Sequence, residues 1–262
     1  MFTTGGFIQI ANSTFDHNLG SLYTFNNNLT FSGNVTFENC VKPPQANKTV
    51  AEDVFVLQEG GAVTSYQSTV TFIGVSTLLN NQARHGGAIL AAESTVITQG
   101  KTTIAHNMAK NSSGGGNLEI NGNCIVTHNH ATRGGGGIHA SSPSISVHKF
   151  GALQVINNTA ENGGGLYLKV NTRQYLLNCY ANMLMKDEAL LMFTGNHATY
   201  GGAVYVADDT NSDACLSNTE CFIQTLRLYQ RTSVSHEAWI ISRDITLAVD
   251  SNLDKYCEYF LC

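Results

Sequence analysis

The sequence predicts an all-β protein, a right-handed parallel β-helix solenoid of roughly nine or ten coils. Three observations predict this fold. A motif of Asn, Ala and two glycines recurs along the chain, short segments rich in Val, Ile, Thr and Tyr follow the glycines, and helical periodicity is almost absent. Self-similarity at a period of about 20–50 residues is the signature of a repeat architecture, and it outweighs any local motif.

The repeated unit is apolar-x-x-Asn-x-Ala-x-x-Gly-Gly-small-aliphatic. Four copies share identical internal spacing, and the copy at Asn107 has two residues inserted before its glycines. The motif asparagines, including looser copies upstream, are Asn18, Asn34, Asn81, Asn107, Asn129, Asn158 and Asn196. The turn glycines are Gly60, Gly61, Gly86, Gly87, Gly114, Gly115, Gly134, Gly135, Gly163, Gly164, Gly201 and Gly202.

Each position of the motif has a physical role in a stack of coils. The apolar residue points inward and stacks on its equivalents, while the Asn turns the chain at a corner, where its amide can bond the Asn of the next coil as in a cross-β ladder. Ala suits a crowded corner, and the glycines permit close backbone approach or backbone angles closed to other residues.

Other repeat architectures fit less well. Leucine-rich repeats would show an L-x-x-L-x-L ladder, and propeller blades are longer, at about 40–45 residues. Coils stacked at the ~4.8 Å interstrand spacing would form a rod ~45 Å long. The segment 180–193 is the one place where a helical turn or two is expected, as an excursion from a coil.

The glycine and phenylalanine motifs resemble a known repeat family. G-G-[AGN]-[ILV] paired with F-x-x-N is similar to the polymorphic outer membrane protein repeats of bacterial autotransporter adhesins, and to right-handed β-helix proteins of simple animals. "GGAVYVADDTNSDACLSNTECFIQTL" (201–226) looks like the animal group, whereas Phe37-x-x-Cys40 departs from the Asn rule. The resemblance covers residues 1–206 well and 207–262 more weakly, and it implies adhesion or extracellular structure.

The composition of the chain argues against some classes of partner. Charged residues make up 13% of the chain and the net charge is −5, so no basic stripe points to nucleic acid. No apolar run approaches a membrane span of about 20 residues, and the N-terminus lacks the pattern of a signal peptide. The chain begins and ends within the repeat pattern, so we expect it to be part of a longer polypeptide, with repeats over 1–206 and a Cys-containing loop plus further β-helix over 207–262.

Candidate catalytic and metal-binding residues are few. Glu93, Glu119 and Glu161 occupy different positions in their repeats, and Asp208, Asp209 and Asp213 are expected to form a solvated turn. No nucleophile elbow, P-loop or calcium repeat occurs. Histidines flank several motif asparagines, and those at 106 and 128 are expected to stack. Because a durable site needs three or four ligands, we expect no metal or other cofactor.

Cysteines and sequons favour an oxidising, extracellular compartment. Possible local disulfides join Cys215 with Cys221 and Cys257 with Cys262. The possible N-glycosylation sites are Asn12, Asn28, Asn34, Asn47, Asn111 and Asn157.

Together, the sequence favours a non-enzymatic structural or adhesive protein, extracellular or at the cell surface. Its loops 40–59, 171–192 and 207–220 would meet a cell-surface protein or a glycan. The alternative is a carbohydrate-active β-helix enzyme, which would need carboxylates and a Lys or Arg converging from adjacent coils.

Overall fold

The fold is known from a computed structural model that describes residues 2–19, 22–41, 60–110, 117–141, 144–170, 182–185, 189–208, 239–242 and 247–249. Within these residues the chain forms 26 strands, numbered β1 to β26 in chain order, and no helix. None of the described segments is a helix long and apolar enough to cross a membrane. The expected all-β class is therefore confirmed.

The strands form four sheets, and every pairing between strands is parallel. The nine-stranded sheet contains β1 (Phe2–Ala11), β3 (Leu22–Ser32), β5 (Val63–Tyr66), β6 (Thr69–Phe72), β9 (Ile89–Ala92), β10 (Thr95–Thr98), β13 (Asn117–Ile120), β17 (Ser144–Val147) and β21 (Asn182–Met185). The eight-stranded sheet contains β2 (Thr14–Asp16), β4 (Asn34–Glu38), β7 (Val75–Leu79), β11 (Lys101–Ala105), β14 (Asn123–Thr127), β18 (Ala152–Ile156), β22 (Leu190–Thr194) and β25 (Trp239–Ser242).

Two smaller sheets complete the described structure. The five-stranded sheet contains β8 (Gln82–Ala83), β12 (Met108–Ala109), β15 (His130–Ala131), β19 (Thr159–Asn162) and β23 (His197–Tyr200). The four-stranded sheet contains β16 (Ile138–Ser141), β20 (Leu166–Val170), β24 (Val204–Asp208) and β26 (Leu247–Val249).

The order of strands in the eight-stranded sheet follows the chain. Each strand pairs with the strand that precedes it and the strand that follows it in this sheet, from β2 to β25. Thr14 pairs with Thr36 and Leu190 with Trp239, so partners lie between 22 and 49 positions apart. Parallel neighbours need such long connections, because a tight hairpin reverses the chain direction.

The core is built from the inward-facing residues of these strands. The apolar motif residues form one column across the eight-stranded sheet: Phe15, Phe37, Leu78, Ile104, Val126, Val155 and Phe193. Phe37, Leu78 and Val155 are at most 1% exposed. Full burial of such a side chain stabilises the fold by about 1.5–3 kcal/mol, so this column accounts for the apolar position of the motif.

The helical turn expected over 180–193 is wrong for the described part of that segment. Residues 182–185 form β21, which pairs with β17, and residues 190–194 form β22, which pairs with β18. Residues 186–188 lie outside the described structure. Here the open edges of two existing sheets supply backbone partners, and this tertiary pairing overrides a weak local helix preference.

Candidate functional site

The motif asparagines lie in one hydrogen-bonded row at the corner after the eight-stranded sheet. Asn107 Oδ1 accepts two hydrogen bonds from Asn81, one from its backbone N–H and one from its Nδ2, both at 2.9 Å. Asn107 Nδ2 in turn donates to Asn129 Oδ1 and to the Leu78 carbonyl oxygen, both at 3.0 Å. The same pattern continues through Asn129, Asn158 and Asn196 at 2.8–3.0 Å.

The amides in the middle of this row have no capacity left for a ligand. A side-chain amide offers two donor hydrogens and an oxygen with two lone pairs. In Asn107, Asn129 and Asn158 all four are used within the protein. These three side chains are at most 4% exposed. The side chains of the row therefore stabilise the fold and are not available to bind a ligand.

Asn34 does not belong to this row, so that assignment is wrong. It is the exposed first residue of β4, and its backbone N–H donates to Asn12 Oδ1 at 3.0 Å. Because Phe37 aligns with Leu78, the corner three residues later is Cys40, whose N–H donates to Asn81 Oδ1 at 3.0 Å. Asn18 precedes Cys40 in the row, and its Nδ2 donates to Cys40 Sγ at 3.9 Å.

A column of residues with positive φ lies immediately before the row. These residues are His17, Asn39, Asn80, His106, His128 and Asn157, with φ between 51° and 55° in every case, followed by Gly195 at 62°. Asn and His are enriched among non-glycine residues in this left-handed region. The column explains why Asn, His or Gly precedes every described corner residue of the row.

The glycine pairs fall at the next corner, and their two members differ in role. Gly163 has φ +61°, whereas its neighbour Gly164 lies so close to the His197 carbonyl oxygen that a Cβ would overlap it. Gly86 and Gly201 share the positive φ of Gly163. Gly202 follows Gly201, Gly60 and Gly61 are buried without positive φ, and Gly114 and Gly115 lie outside the described residues.

One glycine pair is shifted by a residue from the predicted position. Gly134 pairs with Asn162, and Gly135 N–H donates to the Asn162 carbonyl. Gly135, at φ +69°, is thus the equivalent of Gly163, so the turn pair is Gly135 and Gly136 rather than Gly134 and Gly135. The segment from Asn129 to this turn has one residue more than the segment from Asn158 to Gly163, and the run of four glycines absorbs it without a steric penalty.

A second column of glycines lies at the corner between the nine- and eight-stranded sheets, and the repeat motif did not predict it. Its members precede the corner residue of the Asn row by seven positions: Gly33, Gly74, Gly100, Gly122 and Gly151. A Cβ at Gly74 would lie 2.6 Å from the Gly33 carbonyl oxygen. The constant spacing of seven residues between this glycine and the corner residue could have predicted the column, since it recurs in five successive units.

A second polar row was also missed. Asn27 N–H donates to Ser68 Oγ, and Ser68 N–H donates to Ser94 Oγ, both at 3.2 Å. Each serine hydroxyl also donates to a carbonyl two residues earlier, at 2.7–2.8 Å. All three residues are at most 5% exposed. Its sequence signal was the repeated Ser-Thr-Val at 68–70 and 94–96, weaker than Asn because Ser is common in many turns.

The histidines do not converge on one site. His17 Nδ1 lies 2.7 Å from Asp16 Oδ1, and this hydrogen bond, aided by Asn39, lowers the pKa of the Asp16 carboxyl. His130 Nδ1 lies 2.8 Å from Thr159 Oγ1, and His197 is exposed on β23. His106 and His128 stack as expected, with ring centroids 5.0 Å apart.

The acidic residues are likewise separated. Glu93 lies in an exposed turn, where it accepts hydrogen bonds from Tyr66 Oη at 3.1 Å and from Gln67 Nε2 at 2.9 Å, and the first bond raises the pKa of Tyr66. Glu119 lies 3.8 Å from His148, and Glu161 is exposed. Asp208 ends β24, and residues 209 and 213 lie outside the described part. Among the described residues, no three His, Cys, Asp or Glu side chains form a metal-binding group.

The predicted disulfide cysteines all lie outside the described residues. The two cysteines within them, Cys40 and Cys124, are buried and free. Four sequon asparagines are exposed, namely Asn12, Asn28, Asn34 and Asn157, and the sequons at 47 and 111 lie outside the described part. Each buried row asparagine is followed by x-Ala, so the row carries no sequon of its own.

A partly open cavity of about 110 Å³ is lined by residues from Phe72 to His139. Its walls are mainly apolar, with the hydroxyls of Thr98 and Thr102 and the thiol of Cys124 among them. Burial raises the pKa of the Cys124 thiol to about 12. The thiol therefore stays protonated at neutral pH, and the cavity offers neither a thiolate nor a carboxylate for catalysis.

The chain matches no protein-family model, no curated protein and no solved structure.

Proposed function

We propose that this chain is a right-handed parallel β-helix of the repeat family it resembles, and that it serves as a non-enzymatic structural or adhesive scaffold outside the cell or at the cell surface. Parallel pairing in chain order supports the solenoid, because each passage of the chain adds one strand to the eight-stranded sheet. Eight strands correspond to eight coils in the described part, against the nine or ten expected, and seven spacings of ~4.8 Å give ~34 Å.

The observation that carries the proposal is the hydrogen-bonded row from Asn81 to Asn196. The residues that recur most regularly in the sequence use their polar groups to bond one coil to the next. The central amides of the row are saturated by these bonds and direct no polar group at a substrate. Repetition that serves stacking produces a rigid rod, and rigidity is what a scaffold or an adhesin contributes.

The proposed partners are a cell-surface protein or a glycan. Polar, weakly charged exterior residues support contact through hydrogen bonds rather than through charge attraction. Exposed asparagines in four sequons are consistent with export through a glycosylating compartment. The long intervals after Val41 and after Val170 supply the additional chain from which contact surfaces would be built.

Beads coated covalently with the secreted, full chain test the proposal. We expect them to attach to cultured cells, and we expect protease or glycosidase treatment of the cells to release them and so identify the class of partner. In parallel, the protein is incubated with polygalacturonate and alginate, and unsaturated uronates are followed by ultraviolet absorbance. Time-dependent product formation, or attachment no better than that of beads coated with heat-unfolded protein, would overturn the scaffold proposal.

A further inference from the structure

The stacked histidines occupy equivalent positions on neighbouring strands. His106 follows β11 and His128 follows β14, with φ values of 55° and 54°. Their rings are separated by 5.0 Å and inclined by 19°, and both side chains are exposed. Their backbones are fixed by the sheet, since His106 N–H donates to the Thr127 carbonyl and His128 N–H to the Ile156 carbonyl. Two imidazoles are thus held side by side on a rigid surface.

The two polar contacts of His128 are compatible with one neutral tautomer. Its Nε2 lies 3.3 Å from Asn157 Nδ2, a group that can only donate. Asn157 Oδ1 lies beside Gly195, where an added Cβ would overlap it. A neutral imidazole with Nδ1 protonated toward Thr127 Oγ1 at 2.7 Å and Nε2 accepting from Asn157 satisfies both contacts of His128. This is the form in which an imidazole binds a metal, with its other nitrogen held by a second group.

We propose that His106 and His128 form a surface site for a divalent transition-metal cation with a preference for imidazole, and that Cu²⁺ binds it most tightly. Metal–nitrogen bonds of about 2.0–2.1 Å mean that one ion can join two nitrogens no more than about 4.2 Å apart. Rings with centroids 5.0 Å apart would reach that separation if rotation about χ2, a soft torsion in His, turned a nitrogen of each ring toward the other. Cu²⁺ heads the affinity order of divalent first-row ions for nitrogen ligands.

The protein supplies two ligands to this site, and water completes the coordination. No third His, Cys, Asp or Glu joins the pair among the described residues, so the bound ion would exchange with solvent rather than act as a permanent structural metal. The 3.3 Å contact from Asn157 is longer than a good hydrogen bond, so its replacement by a metal bond costs little. The site does not depend on the proposed scaffold function.

Pulsed electron paramagnetic resonance of Cu²⁺ bound to the full chain tests the site, because it counts coordinated imidazoles. Exposed thiols are first blocked with iodoacetamide under native conditions, so that Cu²⁺ does not oxidise them. We expect a two-imidazole signal at one equivalent of Cu²⁺. In His106→Asn and in His128→Asn this signal should be lost. Asn occupies the same positive-φ position at Asn39, Asn80 and Asn157, so both variants retain the backbone conformation.

Two further variants separate this pair from other surface histidines. The control His197→Asn, on exposed β23, should leave the two-imidazole signal unchanged. Asn80 is exposed and precedes His106 in the same column, so Asn80→His should add a third imidazole to the signal. A two-imidazole signal that survives in both His106→Asn and His128→Asn overturns the proposal, as does a wild-type signal from a single imidazole.

The supporting hydrogen bond gives an independent readout. Thr127→Val removes the oxygen that accepts from His128 Nδ1 while it keeps the side-chain shape. Loss of such an outer partner typically weakens metal affinity about 10–100-fold, and we expect a weakening in this range by calorimetric titration with Cu²⁺. Unchanged affinity in Thr127→Val would contradict the support of His128 Nδ1 by Thr127 and with it the site as proposed.

Discussion

Replacement of Asn129 by Ala tests whether the asparagine row holds the coils together. Asn129 lies in the middle of the row and is 4% exposed. Its side chain accepts two hydrogen bonds from Asn107 and donates one each to Asn158 Oδ1 and the Ile104 carbonyl. The substitution removes all four bonds. It also leaves the buried backbone N–H of Asn107 without its acceptor.

The expected loss of stability follows from these four bonds. At about 0.5–1.5 kcal/mol net for each, their removal lowers the free energy of unfolding by about 2–6 kcal/mol. The buried Asn107 N–H moves the result toward the upper end, because an unsatisfied buried donor costs about 1–3 kcal/mol by itself. Since whole domains are stable by about 5–15 kcal/mol, Asn129→Ala should remove a large fraction of the total.

Denaturant unfolding followed by circular dichroism measures this loss, with Asn123→Ala as the matched control. Asn123 is the exposed first residue of β14 in the same coil, and its replacement should change stability by no more than about 0.5 kcal/mol. Because repeat arrays can unfold in steps, amide hydrogen exchange at Asn107 provides a local measurement. The reasoning is refuted if Asn129→Ala and Asn123→Ala unfold within about 0.5 kcal/mol of each other and the Asn107 amide stays protected.

The remaining predictions concern the other rows and one titrating group. Cys40→Asn should extend the row and raise the free energy of unfolding by about 1 kcal/mol. Cys124→Asn should lower it, because Cys124 is buried in the apolar core. Parallel denaturant titrations of the two variants measure both changes. Gly164→Ala should cost about 1–3 kcal/mol through overlap with a neighbouring carbonyl, seen as a lower melting temperature, and an unchanged melting temperature would contradict the close approach. Asp16, whose pKa is lowered from 3.8 chiefly by its hydrogen bond from His17, stabilises the fold above the unfolded value, and this contribution is lost as pH falls through the lowered folded value. Stability falls on acidification because the unfolded state binds this proton at a higher pH than the folded state does. Carbon-detected NMR titration of Asp16 should therefore show a midpoint below 3.8, and His17→Asn should raise that midpoint.

The parts of the fold that could be predicted are those where backbone geometry admits few residue types. Asn at the row and Gly at the close approaches recur because other residues would lose hydrogen bonds or overlap a backbone, as at Asn129 and Gly164. Such positions leave a visible pattern in a single sequence. Parallel pairing then follows, because identical corners can coincide only if successive coils run in the same direction.

The parts that could not be predicted are those where local spacing and coil register disagree. Asn34 satisfies F-x-x-N, yet it begins strand β4, which runs to Glu38 and places Cys40, six residues after Asn34, at the corner. Gly134 satisfies the glycine spacing, yet an extra residue between Asn129 and the turn shifts the turn to Gly135. In both cases the register is set by which side chains face the core across neighbouring strands, and this is a property of the stack rather than of one unit.

The intervals between successive residues of the row differ in length, but the hydrogen bonds that join these residues do not. From Cys40 to Asn81 the chain takes 41 residues, and from Asn107 to Asn129 it takes 22, yet both steps are joined by an acceptor Oδ1 at about the same distance, 3.0 Å. The corner therefore accommodates intervals of very different length without a change in the hydrogen bonds that join its residues. Variation can accumulate in the long intervals without loosening the row, since longer loops cost little additional closure entropy. If this protein recognises a partner, its specificity is expected in those intervals, while the histidine pair lies beside the regularly spaced corner residues.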